Sequence, residues 1–137
     1  KFRDRMGKCN GKYVDIDLSL DTKPATKDIY KLNDAAAVKE AVKNLILTNE
    51  LEKPFAPFFG GNVNALLFEM NDNYSAREIE REIYNAIETF EPRVNIDTLS
   101  IKALPSMDSN NLDITIVFQI INTTQEIELI TTLNRLR

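Results

Sequence analysis

Four apolar residues, Val14, Ile16, Leu18 and Leu20, alternate with Asp15, Asp17 and Ser19. A period of two predicts a β-strand with one face buried. Pro24 marks a turn over residues 21–27, and residues 28–32 read as a short extended piece. The period then lengthens. Ala35, Val38, Ala41, Val42, Leu45 and Ile46 fall on one stripe, with Lys39, Glu40, Lys43 and Asn44 turned away. This predicts an amphipathic helix ending near Thr48. Asn33 or Asp34 can cap it by accepting a bond from an orphan amide, and Pro54 and Pro57 forbid its continuation.

Residues 54–61 set Phe55, Phe58 and Phe59 among two prolines and two glycines. Burying three rings removes a large apolar area from water, so this loop is expected to pack. A short helix is predicted over 63–70. Ser75 and Glu78 make a capping box. The next helix places Ala76, Ile79, Ile83, Ala86, Ile87 and Phe90 within about 100° of arc and stops at Pro92.

Period two then returns. Residues 94–104 read as a strand with a phase break between Ile96 and Leu99, the mark of a bulge. Residues 105–110 carry turn chemistry. Leu112, Ile114, Ile116, Phe118 and Ile120 alternate, with Val117 and Ile121 adding apolar character to the other face. A last strand spans 125–133 through Ile127 and Leu129. The expected class is α+β, an N-terminal strand and helices packed on a C-terminal three-stranded antiparallel sheet. The expected organisation is a basic flexible arm over 1–13 and a single domain over 14–137.

Composition narrows the chemistry. The chain has 137 residues, 43% of them apolar and 28% charged, with a net charge of −4. Mild acidity is poorly suited to phosphate backbones, so no nucleic-acid partner is expected. No apolar run approaches the ~20 residues needed to span a bilayer, so none is expected with a membrane either. Lys1, Arg3, Arg5, Lys8 and Lys12 make the opening segment basic; it reads as a solvated arm, or as one that lies on an acidic partner. The one cysteine, Cys9, suits a reducing cytoplasm.

There is no histidine. That removes His-based nucleophilic pairs and His-ligated metals, and neither a metal nor a cofactor is expected. Catalysis would have to rest on paired carboxylates, and Glu78, Glu80, Glu82, Glu88 and Glu91 crowd one helix. Carboxylates along one wet helix face cannot flank a sugar or acquire different pKa values. Arg77, Arg81 and Arg93 are their natural partners. A carboxylate-pair glycosidase is therefore the alternative, and a non-enzyme is expected. Glu91-Pro92-Arg93 has two readings: a helix terminator with two surface charges, or a stiff clamp in which Arg93 grips a partner carboxylate or carbonyl and Glu91 accepts from a partner donor. Composition does not choose between them.

The order of these signals carries a resemblance. Residues 14–18 are followed by the helix of residues 37–48, then by Lys53-Pro54-Phe55-Ala56-Pro57-Phe58-Phe59-Gly60, then Leu66-Leu67-Phe68-Glu69, then a helix closed by Glu91-Pro92-Arg93-Val94. Over roughly residues 14–133 this resembles the contractile-tail baseplate wedge family, once labelled lysozyme-like, which has a counterpart in type VI secretion baseplates. The resemblance implies a structural protein of the virion tail baseplate, assembled in the host cytoplasm. It implies other wedge subunits, the tail sheath protein and tube-base proteins as partners. It also implies that Glu91, Pro92 and Arg93 hold the wedge core and that the small sheet starts the sheath. A generic adaptor domain outside any phage is the remaining alternative.

A three-stranded meander leaves unpaired main-chain groups at its edges. The last strand has no proline, so Ile127 and Leu129 are candidate partner-binding positions by β-augmentation. On this reading, proline at either should block sheath start while the wedge still forms. Arg93→Ala should change stability by no more than about 1 kcal/mol.

Overall fold

A computed structural model describes residues 13–66, 73–105, 111–121 and 123–134. The arm predicted over 1–13 lies outside these residues except for Tyr13, as does the end of the helix predicted over 63–70. The described chain falls into two compact units that meet between Glu40 and Ala41.

In the first unit, β1 (Val14–Ile16) pairs antiparallel with β2 (Lys31–Asn33), from Val14 opposite Asn33 to Ile16 opposite Lys31. The strand is shorter than its alternation predicts. Asp17 Oδ1 accepts the Ser19 N–H at 2.9 Å, and Leu20 N donates to the Asp17 carbonyl at 3.2 Å. Leu20 itself adopts φ 57. An aspartate that satisfies nearby amides offers the backbone a turn instead of a ladder. Val14, Ile16, Leu18 and Leu20 are all exposed, against the expectation of a buried face. A two-stranded ribbon has no second layer of its own to cover them.

Helix α1 spans Ala35–Leu47. Its first bond runs from Val38 N to the carbonyl of Asp34 at 3.0 Å, so Asp34 occupies the N-cap position. The Asp34 carboxylate accepts the Tyr13 N–H at 3.2 Å, tying the helix start to the ribbon start. Val38, Val42, Leu45 and Ile46 of the predicted stripe are buried.

In the second unit, residues 48–61 form a closed loop, with Gly61 N donating to the Thr48 carbonyl at 3.3 Å and Leu51 N to the Pro57 carbonyl at 2.8 Å. Asn49 donates to Glu52 through its main-chain N–H (2.9 Å) and its side-chain amide (2.8 Å). These two bonds, the main-chain one foremost, hold the Glu52 carboxyl below its ordinary value. Gly60 sits at φ +131, where a Cβ would come within 2.4 Å of the Thr48 carbonyl oxygen. Of the three rings expected to be buried, only Phe59 is even half-buried; it packs on Phe90 with centroids 5.1 Å apart. Phe55 and Phe58 are exposed, because the loop closes on main-chain bonds and leaves them no core to enter.

After α2 (Val63–Leu66) comes α3 (Asn73–Phe90). It starts two residues before Ser75, which is therefore inside the first turn and not the cap. Of its predicted stripe, Ala76, Ile79, Ile83, Ala86 and Ile87 are buried and Phe90 is half-buried. The sheet follows as β3 (Val94–Pro105), β4 (Asn111–Ile120) and β5 (Glu126–Asn134), antiparallel in the order β3-β4-β5. The predicted bulge is present, since Asn95 lies opposite Gln119 but Ser100 lies opposite Val117. Helix α3 packs along β3. The core joins its stripe to the inner face of the sheet, where Leu112, Ile114, Ile116, Phe118 and Ile120 meet Ile127, Leu129 and Leu133. The class is α+β, as expected.

Candidate assembly interface

The exit from α3 is a built elbow. Glu91 N still donates to the Ile87 carbonyl at 2.9 Å, the last bond of the helix. Val94 N then donates to the Glu91 carbonyl at 3.2 Å, closing a turn with Pro92 at its second position, where the proline φ is already suited. The Arg93 carbonyl accepts the Ile121 N–H at 3.0 Å, which pins the elbow to the end of β4. Across the turn, Arg93 Nε donates to Glu91 Oε1 at 2.5 Å and Nη2 to Oε2 at 2.7 Å. This is a two-point guanidinium–carboxylate pair. Glu91 is only 5% exposed, whereas Pro92 lies on the surface. The elbow is thus internally paired, with Pro92 on the surface.

The two sheet edges differ, and the hydrogen-bond alternation of an antiparallel ladder shows how. Ile121 N points to β3, and so does Gln119 N, which donates to Thr98 Oγ1 at 3.2 Å. Odd-numbered residues of β4 thus turn their main chain to β3, and even-numbered ones turn it to β5. On β3 the residues opposite odd β4 positions are Ser100, Lys102 and Leu104, leaving Ile101, Ala103 and Pro105 to face outward. The Ala103 N–H does face outward, and Glu80 Oε1 reaches from α3 to accept it at 2.8 Å. Pro105 has no N–H to offer. With the bulge further along, β3 is a blunted edge.

On β5, Ile127, Leu129, Thr131 and Leu133 lie opposite Phe118, Ile116, Ile114 and Leu112, so their main chain points inward to β4. Their side chains lie on the buried face of the sheet: Ile127 is 7% exposed and Leu129 3%. The outward main-chain groups belong to Glu126, Glu128, Ile130 and Thr132. No other described strand pairs with them. Ile127 and Leu129, read from the sequence as edge contacts, therefore belong to the buried half of the alternation, and the outward main chain belongs to the residues between them.

The acidic row of α3 divides in the same way. Glu78 pairs with Arg81 one turn on, as expected of a solvated helix. Glu80 was expected to be solvated too, and instead closes the sheet edge. Its i+3, i+7 relation to Ile83 and Ile87 places it beside the buried stripe, which is the one signal in the sequence for this role. Among the described residues no group of acidic or cysteine side chains is arranged to hold a metal ion.

Comparison with known proteins adds the family. The family described as Baseplate wedge protein gp25 matches residues 33–125. The chain is similar to Baseplate wedge protein gp25 of Enterobacteria phage T4, at 32% identity over 125 residues, covering 90% of this chain and 91% of that protein. Two solved structures are similar in fold. A putative tail lysozyme from Geobacter sulfurreducens aligns with a TM-score of 0.65 and 23% identity, over 73% of this chain and 89% of that one. The baseplate of the anti-feeding prophage (AFP), solved by cryo-EM with six-fold symmetry, aligns with a TM-score of 0.61 and 17% identity, over 91% of this chain and 87% of that one. At such identities these two likenesses concern the fold alone.

Proposed function

The chain belongs to the Baseplate wedge protein gp25 family, and from that membership we propose a non-enzymatic assembly subunit of a contractile-tail baseplate that starts the sheath at its β5 edge. The observation that carries this reading is the asymmetry of the sheet. One edge is closed by Glu80 and Pro105, while the other presents the main chain of Glu126, Glu128, Ile130 and Thr132. A monomer with no use for an open edge gains by blunting both. A strand added there would gain several backbone bonds at about 1 kcal/mol net each.

The Glu91-Pro92-Arg93 elbow is the proposed seat for the other wedge subunits. Its rigidity supports that role, since a surface already ordered loses little entropy on docking. Tube-base proteins and the sheath protein complete the partners, with assembly in the host cytoplasm. The acidic groups support a structural role: Glu78, Glu80 and Glu91 are each engaged by Arg81, Ala103 and Arg93.

The test separates the two surfaces. Tails assembled with a Glu128→Pro variant should contain the subunit in the wedge but polymerise no sheath, as seen by negative-stain microscopy. Sheath growth at the normal rate would retire the edge as the starting point.

A further inference from the structure

Glu126 and Glu128 occupy successive outward positions on the open edge, and both side chains are exposed. Their neighbours across β4 are neutral: Gln119 lies opposite Glu126, Val117 opposite Glu128, and Thr115 lies opposite Ile130. On β3 the same rows continue through Ser100, opposite Val117, and Lys102, opposite Thr115. Among the described residues of these rows the one cation, Lys102, is therefore in the row of Ile130, two strands away from it. Thr132 is already committed across the strands, donating to Asp113 Oδ1 at 2.8 Å. The edge thus reads, in order, as carboxylate, carboxylate, aliphatic and neutral hydroxyl, with Ile130 64% exposed.

We infer that this edge selects its incoming strand by charge: it takes a strand from another protein with Lys or Arg opposite Glu126 and Glu128 and an apolar residue opposite Ile130. The inference rests on the edge reading above and adds the partner's chemistry to it. The physical reason is the geometry of cross-strand pairs. Directly opposed side chains lie about 5 Å apart and interact, with opposite charges favourable and like charges unfavourable. The two carboxylates are roughly 7 Å from each other along the strand, so each needs its own cation, at alternate positions of the incoming segment. The open main chain supplies binding to any strand, and the carboxylates supply the choice among strands. The same two charges discourage neutral and acidic strands from settling on the edge before the proper partner arrives.

The test uses the full chain and three synthetic ten-residue peptides of one β-prone sequence, differing at two alternate positions that carry Lys, Gln or Glu. Binding is followed by fluorescence anisotropy at low salt. The Lys peptide should bind about tenfold more tightly than the Gln peptide, and the Glu peptide more weakly again, at a few-fold per charge pair. The difference should shrink in about 1 M salt, where exposed charges are screened. The doubly reversed chain E126K/E128K should invert the order, and Ile130→Pro should abolish binding of all three. Equal binding of the three peptides to the unaltered chain would overturn the charge selection while leaving the edge in place. Binding by none, or undiminished binding to the Ile130→Pro chain, would overturn the edge reading as well.

Discussion

The Glu80 carboxylate accepts the Ala103 N–H at 2.8 Å, so a helix side chain occupies the place where another strand would bond to β3. With Pro105 and the bulge, this contact makes the two sides of the sheet unequal: among the described residues no strand pairs with the outer side of β5.

Removing that acceptor should therefore do two things. Glu80→Ala should cost about 1–3 kcal/mol, the penalty of an unsatisfied amide, measured by urea denaturation. It should also produce concentration-dependent association in sedimentation velocity, because a second edge has been opened. Glu80→Gln keeps an acceptor and should sediment as the parent does.

The elbow is dearer to the fold than its surface charges suggest. The sequence alone implied a near-neutral Arg93→Ala. With Glu91 buried and both its oxygens bonded to Arg93, the substitution leaves a carboxylate without its counter-charge and should cost roughly 2–3 kcal/mol. The double change E91Q/R93Q should recover at least half of that loss in a double-mutant cycle. Additive losses would show the pair to be uncoupled.

Proline scanning of β5 should follow residue parity. Glu128→Pro and Ile130→Pro remove outward donors and should fold, with circular dichroism close to the parent. Ile127→Pro and Leu129→Pro each delete a ladder bond to β4 and replace a buried side chain, and should cost more than about 3 kcal/mol. This corrects the sequence expectation that proline at 127 or 129 would spare the wedge.

The loop after α1 depends on Gly60. Gly60→Ala places a Cβ against the Thr48 carbonyl at a backbone angle alanine avoids, and should destabilise by about 2 kcal/mol or more in thermal unfolding. Proteolysis within residues 49–60 should rise with it.

Glu52 provides a pH signal in the same loop. Its folded pKa lies below the ordinary 4.5, held there by Asn49. A depressed carboxyl contributes stability above its unfolded pKa and loses it as pH falls through the folded one. The Asn49 amide resonance should therefore titrate with a midpoint below the ordinary 4.5. Glu52→Gln should abolish that titration. A midpoint at or above the ordinary value would contradict the bonding described.

Local periodicity was enough to reveal much of the architecture. The stripe from Ala76 to Ile87, the alternation from Leu112 to Ile120, and the bulge after Asn95 follow from side-chain spacing alone. Such features are local, since a residue's side of a helix or strand is set by its own position in the repeat. The order of motifs was enough to indicate the family. What spacing does not contain is which partner a polar group finds at a distance.

Twenty-three residues separate Glu80 from Ala103, and no pattern in between announces their bond. The same is true of the closure of residues 48–61, which left Phe55 and Phe58 outside when composition suggested burial. The sequence by itself determined α1, α3 and the three-stranded sheet with their amphipathic faces, and the α+β class, because those depend on repeat periods of a few residues. Only the tertiary structure decided which sheet edge is closed, which half of β5 faces outward, and that Glu91 and Arg93 hold each other. Those outcomes depend on strand register and on contacts between distant segments, which exist only once the chain has folded.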